Sequence, residues 1–217
     1  MTRKWTKSIH VIAWVDSLRI GGHAGRGVVD LPISREKGSW ISTNIASTFR
    51  GTLRRTCHVM LRSTSVQISH EDPEMTLFGT YHGGNPQATS REGKIKIVLR
   101  KLEASSGTCV TRNGIRIDPL TGSVETNALY NYEYIAKAAS QEVRNGIALD
   151  FEIEIVPALD EIEAAVLLGS IQALKYASLG GFKSRGLGLI RDVEIKDADF
   201  IEFAGAPLEK MISGGKT

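Results

Sequence analysis

The sequence predicts an α+β fold of the ferredoxin-like type, a βαββαβ core with a hairpin-like insertion in its second half. Three observations carry this expectation. Runs of alternating hydrophobicity fall at residues 7–20, 94–100, 147–156 and 188–195. Two stretches of helical period stand after the first and third of them. A polar stretch at 104–145, with turn signals inside it, separates the second strand from the third.

Taken in order, Ile9, Val11, Ala13 and Val15 share one parity of the first strand, which ends at Gly21-Gly22. Phe49, Leu53, Cys57 and Leu61 recur every four residues and define a helix beginning near Asn44–Ser47. Arg50 and Arg54 share another face of that helix. Lys94 to Arg100 alternates as the second strand. Turn signals at Arg112-Asn-Gly114 and at 118–122 mark the insertion as a hairpin. Residues 147–156 (IALDFEIEIV) form the third strand. Asp160 and Glu163 have the spacing of a capping box, opening a helix over 162–177 that Gly180-Gly181 stops. Residues 188–195 complete the sheet, and the tail after Asp197 carries no assigned element. The whole is expected to be one domain, with insertions at about 62–93 and 104–145.

The chain has 217 residues, 41% hydrophobic and 24% charged, enough for a sizeable core and inconsistent with disorder. Its net charge of +3 conceals an asymmetry. Residues 1–62 carry 11 Lys/Arg against 3 Asp/Glu, whereas the remainder carries 16 against 21. Such a basic half points to a polyanion. Cys57 and Cys109 have neither metal-ligand nor disulfide spacing, and Cys57 reads as a buried thiol. No secretory leader and no membrane span are expected, which places the chain in the cytoplasm.

Two loops hold the candidate chemistry. Residues 180–188 (GGFKSRGLG) follow a helix and precede a strand, the reverse of a Walker or dinucleotide loop. The loop reads as a run of backbone N–H groups free to approach phosphates, with Lys183 and Arg185 adding charge. Asp30 is the one acid between residues 17 and 35. Beside phosphates it would share a Mg²⁺ with them, or position a ribose 2′-hydroxyl; a turn-forming aspartate is the alternative. His23, placed to act near Asp30, has an ordinary loop histidine as its alternative; His82 and the remaining histidines show no ligand spacing.

Four segments stand in a fixed order: LRIGG at 18–22 with GVVDLPISRE at 27–36; STFRGTLR at 47–54; LFG at 77–79; and the 180–188 loop. Together they resemble the RAMP superfamily (repeat-associated mysterious proteins), and within it the backbone subunits of type III CRISPR effector complexes of the Csm and Cmr kind. One departure is Ile45-Ala46, standing where the family usually has Pro-Gly. The resemblance implies an RRM-like domain that binds guide (CRISPR) RNA, complementary target RNA, further copies of itself in a filament and other subunits of the effector complex. It implies that the 104–145 hairpin is a thumb wedging the guide–target duplex. It also implies that Asp30 is catalytic, cutting target RNA with Mg²⁺ or another divalent cation that Asp30 would hold. Candidate guide contacts are Arg19, Arg26, Asn44, Ser47, Arg50, Arg54, Lys183 and Arg185, with Arg50 and Arg54 foremost. The competing expectations are a non-catalytic guide-binding scaffold and a metal-independent guide-processing endoribonuclease, for which only His23 is placed. A generic RNA-recognition module would carry aromatics on its central strands, and the strand at 94–100 offers none.

Overall fold

The computed structural model describes residues 3–21, 29–33, 44–63, 72–80, 91–102, 107–137 and 146–213. In chain order the elements are β1 (Ile9–Val15), β2 (Ser17–Leu18), α1 (Asn44–Ser63), α2 (Pro73–Phe78), β3 (Ile95–Leu102), β4 (Gly107–Ile117), β5 (Val124–Lys137), β6 (Ile147–Ile155), α3 (Glu161–Ala173), β7 (Ile190–Ile195) and α4 (Ala198–Ile212). Strands β3, β6, β1 and β7 form an antiparallel sheet in that order. With α1 and α3 as the connecting helices, this is the ferredoxin-like βαββαβ arrangement.

Alternation places the core. Ile9, Val11, Ala13 and Val15 of β1 are fully buried opposite Ile153, Phe151, Leu149 and Ile147 of β6. Phe49, Leu53 and Cys57 of α1 pack onto that face, and the Phe49 ring stacks on Phe151 with centroids 3.9 Å apart. Burial pushes the Cys57 thiol up to about 12, as expected of an inert core cysteine. The capping box of α3 forms: Asp160 accepts from the Glu163 N–H, and the Glu163 carboxylate accepts from the Asp160 N–H. Lys94 closes this corner with its ammonium 2.6 Å from Glu163 Oε1.

Residues 107–137 form a long antiparallel hairpin, β4 with β5, and β2 adds a third strand to it. Its tip is the turn after Asp118. The turn expected at 112–114 is not one: these residues lie within β4, paired with Tyr132, Asn131 and Tyr130. Gly114 is there because the Tyr130 ring crosses it, and a Cβ would stand 2.4 Å from that ring.

Two helices escaped the sequence reading. Helix α2 is one short turn-rich segment, N-capped by Asp72, that buries Leu77 and Phe78. Helix α4 occupies the tail, where Phe200, Phe203, Ala204 and Leu208 are buried and Trp5 meets Phe200 edge-on at 5.3 Å. Gly205 and Pro207 masked its period. The strand at 94–100 also proves to be an edge, β3, so its lack of aromatics says nothing about the central strands. Those are β6 and β1, whose outer face carries Trp14.

Truncating Phe49 to Ala should cost about 3–5 kcal/mol, read from urea unfolding, because the ring is fully buried against Phe151. A loss below about 1 kcal/mol would mean that α1 does not dock on this sheet.

Candidate nucleic-acid interface

The expected site residues divide into three groups. Arg26 and His23 lie outside the described residues, as does the side chain of Asn44, which opens α1. Ser47 is exposed in the first turn of α1. The remaining residues fall into two neighbourhoods on the hairpin and helix side of the molecule.

The first gathers Asp30, Arg19, Arg185 and the glycine-rich loop. Residues 30–33 run along the edge of β5 beyond β2. Leu31 pairs with Tyr132, donating its N–H to the Asn131 carbonyl and accepting from the Glu133 N–H, both at 3.1 Å. Asp30 and Asn131 embrace reciprocally: the Asp30 N–H donates to Asn131 Oδ1 at 2.7 Å, and the Asn131 N–H donates to Asp30 Oδ2 at 2.8 Å. Asp30 is exposed, and its Oδ1 has no hydrogen-bond partner among the described residues. It lines a cavity of about 460 Å³ with Tyr130, Phe182 and Arg185.

Arg185 lies over three rings, 4.7 Å from the Phe182 centroid, 5.4 Å from Tyr130 and 5.5 Å from Tyr132. It also donates to the Tyr130 hydroxyl, a bond that raises its pKa above the ordinary value. Alternation on β5 supplies this setting, since Tyr130, Tyr132 and Tyr134 share one face. The motif YNYEY at 130–134 was the signal, an aromatic at every second residue.

Arg19 was expected at the RNA surface but is only 7% exposed. Its guanidinium lies 4.4 Å from the Phe182 centroid and donates to the Leu31 carbonyl at 3.3 Å. Burial pushes its pKa below the ordinary value. It therefore ties the Asp30 strand to the glycine-rich loop. That loop also differs from expectation, because most of its N–H groups are spent internally. Gly181 donates to the Arg19 carbonyl at 2.7 Å, Gly188 to the Ser17 carbonyl at 2.8 Å, and Arg185, Gly186 and Leu187 to carbonyls within the loop. Gly180, at φ +88°, has the Arg19 carbonyl where a Cβ would stand 2.4 Å away. The glycines let the loop clasp the chain at Ser17–Arg19, leaving its cations to face outward.

The second neighbourhood is the flank of α1 toward α2. Arg50 donates to the Phe78 carbonyl at 2.6 Å, satisfying the C-terminal end of α2, and its pKa is lowered by burial and by Arg54. Arg54 pairs with Glu74 at 2.8 Å, and His58 Nδ1 lies 2.7 Å from the other Glu74 oxygen. Burial pushes the Glu74 carboxyl up, but the hydrogen bonds from Arg54 and His58 outweigh it and leave it below its ordinary value. Both foremost guide-contact candidates thus hold α2 in place while lining a cleft of about 450 Å³ with Arg91 and Lys96.

Among the described residues no group of three His, Cys, Asp or Glu is placed to hold a metal ion. One exposed carboxylate with a spare oxygen does suit a hydrated Mg²⁺ that takes its other ligands from phosphates and water. The described helices include none long and apolar enough to cross a membrane.

A ferredoxin-like domain that presents cations over aromatic rings and one spare carboxylate oxygen along a helix-and-hairpin flank has the make-up of an RNA-binding protein. The family comparison agrees, the model of the RAMP superfamily matching residues 44–191. The chain belongs to that superfamily, the repeat-associated mysterious proteins of CRISPR systems, and is a CRISPR-associated RNA-binding subunit. RAMP proteins bind CRISPR RNA, form complexes with other Cas subunits and include some ribonucleases. A search of curated proteins found no match.

Two outcomes follow for these clusters. Glu74→Gln should lose about 1 kcal/mol of stability at neutral pH. Because the folded pKa is depressed, that difference is full above the ordinary value of 4.5 and fades as pH falls below it. Urea melts of both proteins across that range check it, and a difference that persists in acid contradicts the pairing. Arg19→Ala should speed amide exchange at Leu31 and its neighbours on the order of tenfold, one hydrogen bond's worth. Arg19→Lys should not restore it, since an ammonium cannot both cover Phe182 and reach Leu31. Unchanged exchange in Arg19→Ala would remove the tie.

Proposed function

We propose that this chain is a guide-RNA-binding backbone subunit of a type III CRISPR effector complex that cuts complementary target RNA at Asp30. The observation that carries the reading is the placement of Asp30. Its Oδ2 is fixed by the Asn131 N–H, its Oδ1 is unengaged among the described residues, and the Arg185 cation lines the same cavity. That pairing offers a carboxylate to a ribose hydroxyl and a guanidinium to the neighbouring phosphate.

The reaction proposed is attack of the target's own 2′-hydroxyl on the adjacent phosphorus. A P–O2′ bond forms, the P–O5′ bond breaks, the hydroxyl proton leaves toward Asp30 or water, and the departing 5′ oxygen takes a proton from water. The products are a 2′,3′-cyclic phosphate and a 5′-hydroxyl. A divalent cation held by Asp30 would neutralise charge on the phosphate oxygens. Most of the acceleration is expected from holding the strand in line, which base pairing to a guide and a wedging hairpin would do. In this reading β4–β5 is the thumb, Arg19 and Asn131 are positioning residues, and Lys183, Arg185, Arg54 and Ser47 face RNA. Arg50 acts through α2, and further copies of the chain extend the filament.

A second reading has its own observation. The reciprocal Asp30–Asn131 hydrogen bonds are also what a purely structural aspartate would make, and they suit a non-catalytic scaffold. The experiment that separates the two compares wild type with Asp30→Asn and Asp30→Ala in a reconstituted, guide-loaded complex with Mg²⁺, measuring guide binding alongside target cleavage. The account expects cleavage to fall at least about 10²-fold with guide binding unchanged. Equal cleavage by all three proteins would contradict the catalytic role, and binding without cleavage by any would support the scaffold.

A further inference from the structure

One cavity belongs to neither neighbourhood described above. It encloses about 530 Å³, within the range of small-ligand sites, between the middle of α1 and the 3₁₀ turn Leu174–Tyr176 that follows α3. Its wall is apolar, with Val59, Met60 and Ala173. Arg55 of α1 and Lys183 of the glycine-rich loop also line it, and among the described residues no carboxylate does.

Two features set this place apart from the α1–α2 cleft. Arg50 and Arg54 are already satisfied by α2, whereas neither the Arg55 nor the Lys183 side chain has a hydrogen-bonded or ion-paired partner among the described residues. Two unpaired like charges on one cavity are unfavourable until an anion enters between them. The second feature is Tyr176, a lining ring left 84% exposed, with Lys175 Nζ 5.7 Å from its centroid. A large aromatic at the surface, contributing little to the core, beside free cations is the equipment of single-strand binding: cations track the backbone while a ring takes the face of a base.

We infer that this cavity is a single-nucleotide subsite for single-stranded RNA, with a phosphate between Arg55 and Lys183 and a base stacked on Tyr176. The inference rests on the RNA-binding reading and deepens it. It names residues, Arg55 and Tyr176, that act by holding the strand and take no part in cutting. The base is splayed from its neighbours, and any of the four fits, because recognition is by the ring face and not by base edges. A free nucleotide carries the same phosphate and base, so the test has an arm for each source.

The test uses the full chain and a single-stranded RNA bearing 5-iodouridine, irradiated and mapped by mass spectrometry. Affinities are measured in parallel for Tyr176→Phe, Tyr176→Ala and the double variant Arg55→Ala with Lys183→Ala, all at exposed positions, with thermal melts checking that each is folded. AMP is titrated separately. The expected result is a cross-link at Tyr176, about tenfold weaker RNA binding in Tyr176→Ala, and near wild-type binding in Tyr176→Phe. The double variant should lose affinity and flatten the log Kd against log salt slope by about 0.7 for the phosphate contact removed. AMP should bind far more weakly than RNA. Wild-type RNA affinity in every variant, with cross-links only elsewhere, overturns the subsite and leaves RNA binding standing. AMP binding without RNA binding overturns the assignment to RNA, and binding of neither overturns both.

Discussion

Arg19 is the point on which the arrangement of the candidate site depends. Three segments meet there: the strand carrying Asp30, the short strand β2 that follows β1, and, far away in sequence, the glycine-rich loop. Its backbone carbonyl accepts from Gly181, while its guanidinium covers Phe182 and reaches the Leu31 carbonyl. A guanidinium is held this far from water only where its surroundings repay desolvation, and a ring face with a carbonyl does so in part. Its Nε is buried without a hydrogen-bond partner among the described residues, which puts this cluster under some electrostatic cost. The return is order: Asp30, Arg185 and the tyrosines of β5 are fixed relative to one another with no element of regular structure joining them all.

That order has a charge pattern to match. The helix-and-hairpin flank presents Arg54, Arg55, Lys183 and Arg185. The outer face of the four-stranded sheet carries Asp150, Glu154, Asp192 and Glu194, with the buried Glu152 between them, by the alternation that buries Leu149, Phe151 and Ile153 on the other side. Lys96, Arg100 and Lys101 offset part of this, and Arg100 is already paired with Glu152. A polyanion approaching the molecule is drawn to the first surface and repelled from much of the second. This domain thus departs from the ordinary RNA-recognition module, whose sheet face receives the bases. On that face β1 and β6 place only Trp14 and His10 as rings a base could stack on.

Most of the fold was legible because its signals are local. Period-two burial marked β1, β3 and β6, the capping residues marked α3, and the 118–122 turn marked the hairpin tip. What failed did so for identifiable reasons. The tail after Asp197 was given no element, yet α4 forms there despite Gly205 and Pro207 because Phe200, Phe203 and Leu208 anchor it from either side. Arg112-Asn-Gly114 has turn chemistry, but Gly114 serves a ring on the facing strand. At the candidate site, the sequence named side chains but not the partners the fold gives them. Helical spacing put Arg50 and Arg54 on one face and the family resemblance made them guide contacts, whereas Glu74 and the Phe78 carbonyl that occupy them come from a segment whose helix carries no long-range signal. Asn131 gave no sign in sequence, since its meaning comes entirely from lying opposite Asp30.

The central claim is that RNA passes along the flank formed by α1, the glycine-rich loop and β5, with Asp30 against its backbone. The most direct measurement is an electron cryo-microscopy map of the assembled complex with guide and a non-cleavable, 2′-deoxy-substituted target. The account predicts a target phosphate beside Asp30 and Arg185, and guide density over α1 and Lys183. RNA density on the outer sheet face, around Trp14 and Asp150, with the Asp30 flank bare, would contradict it.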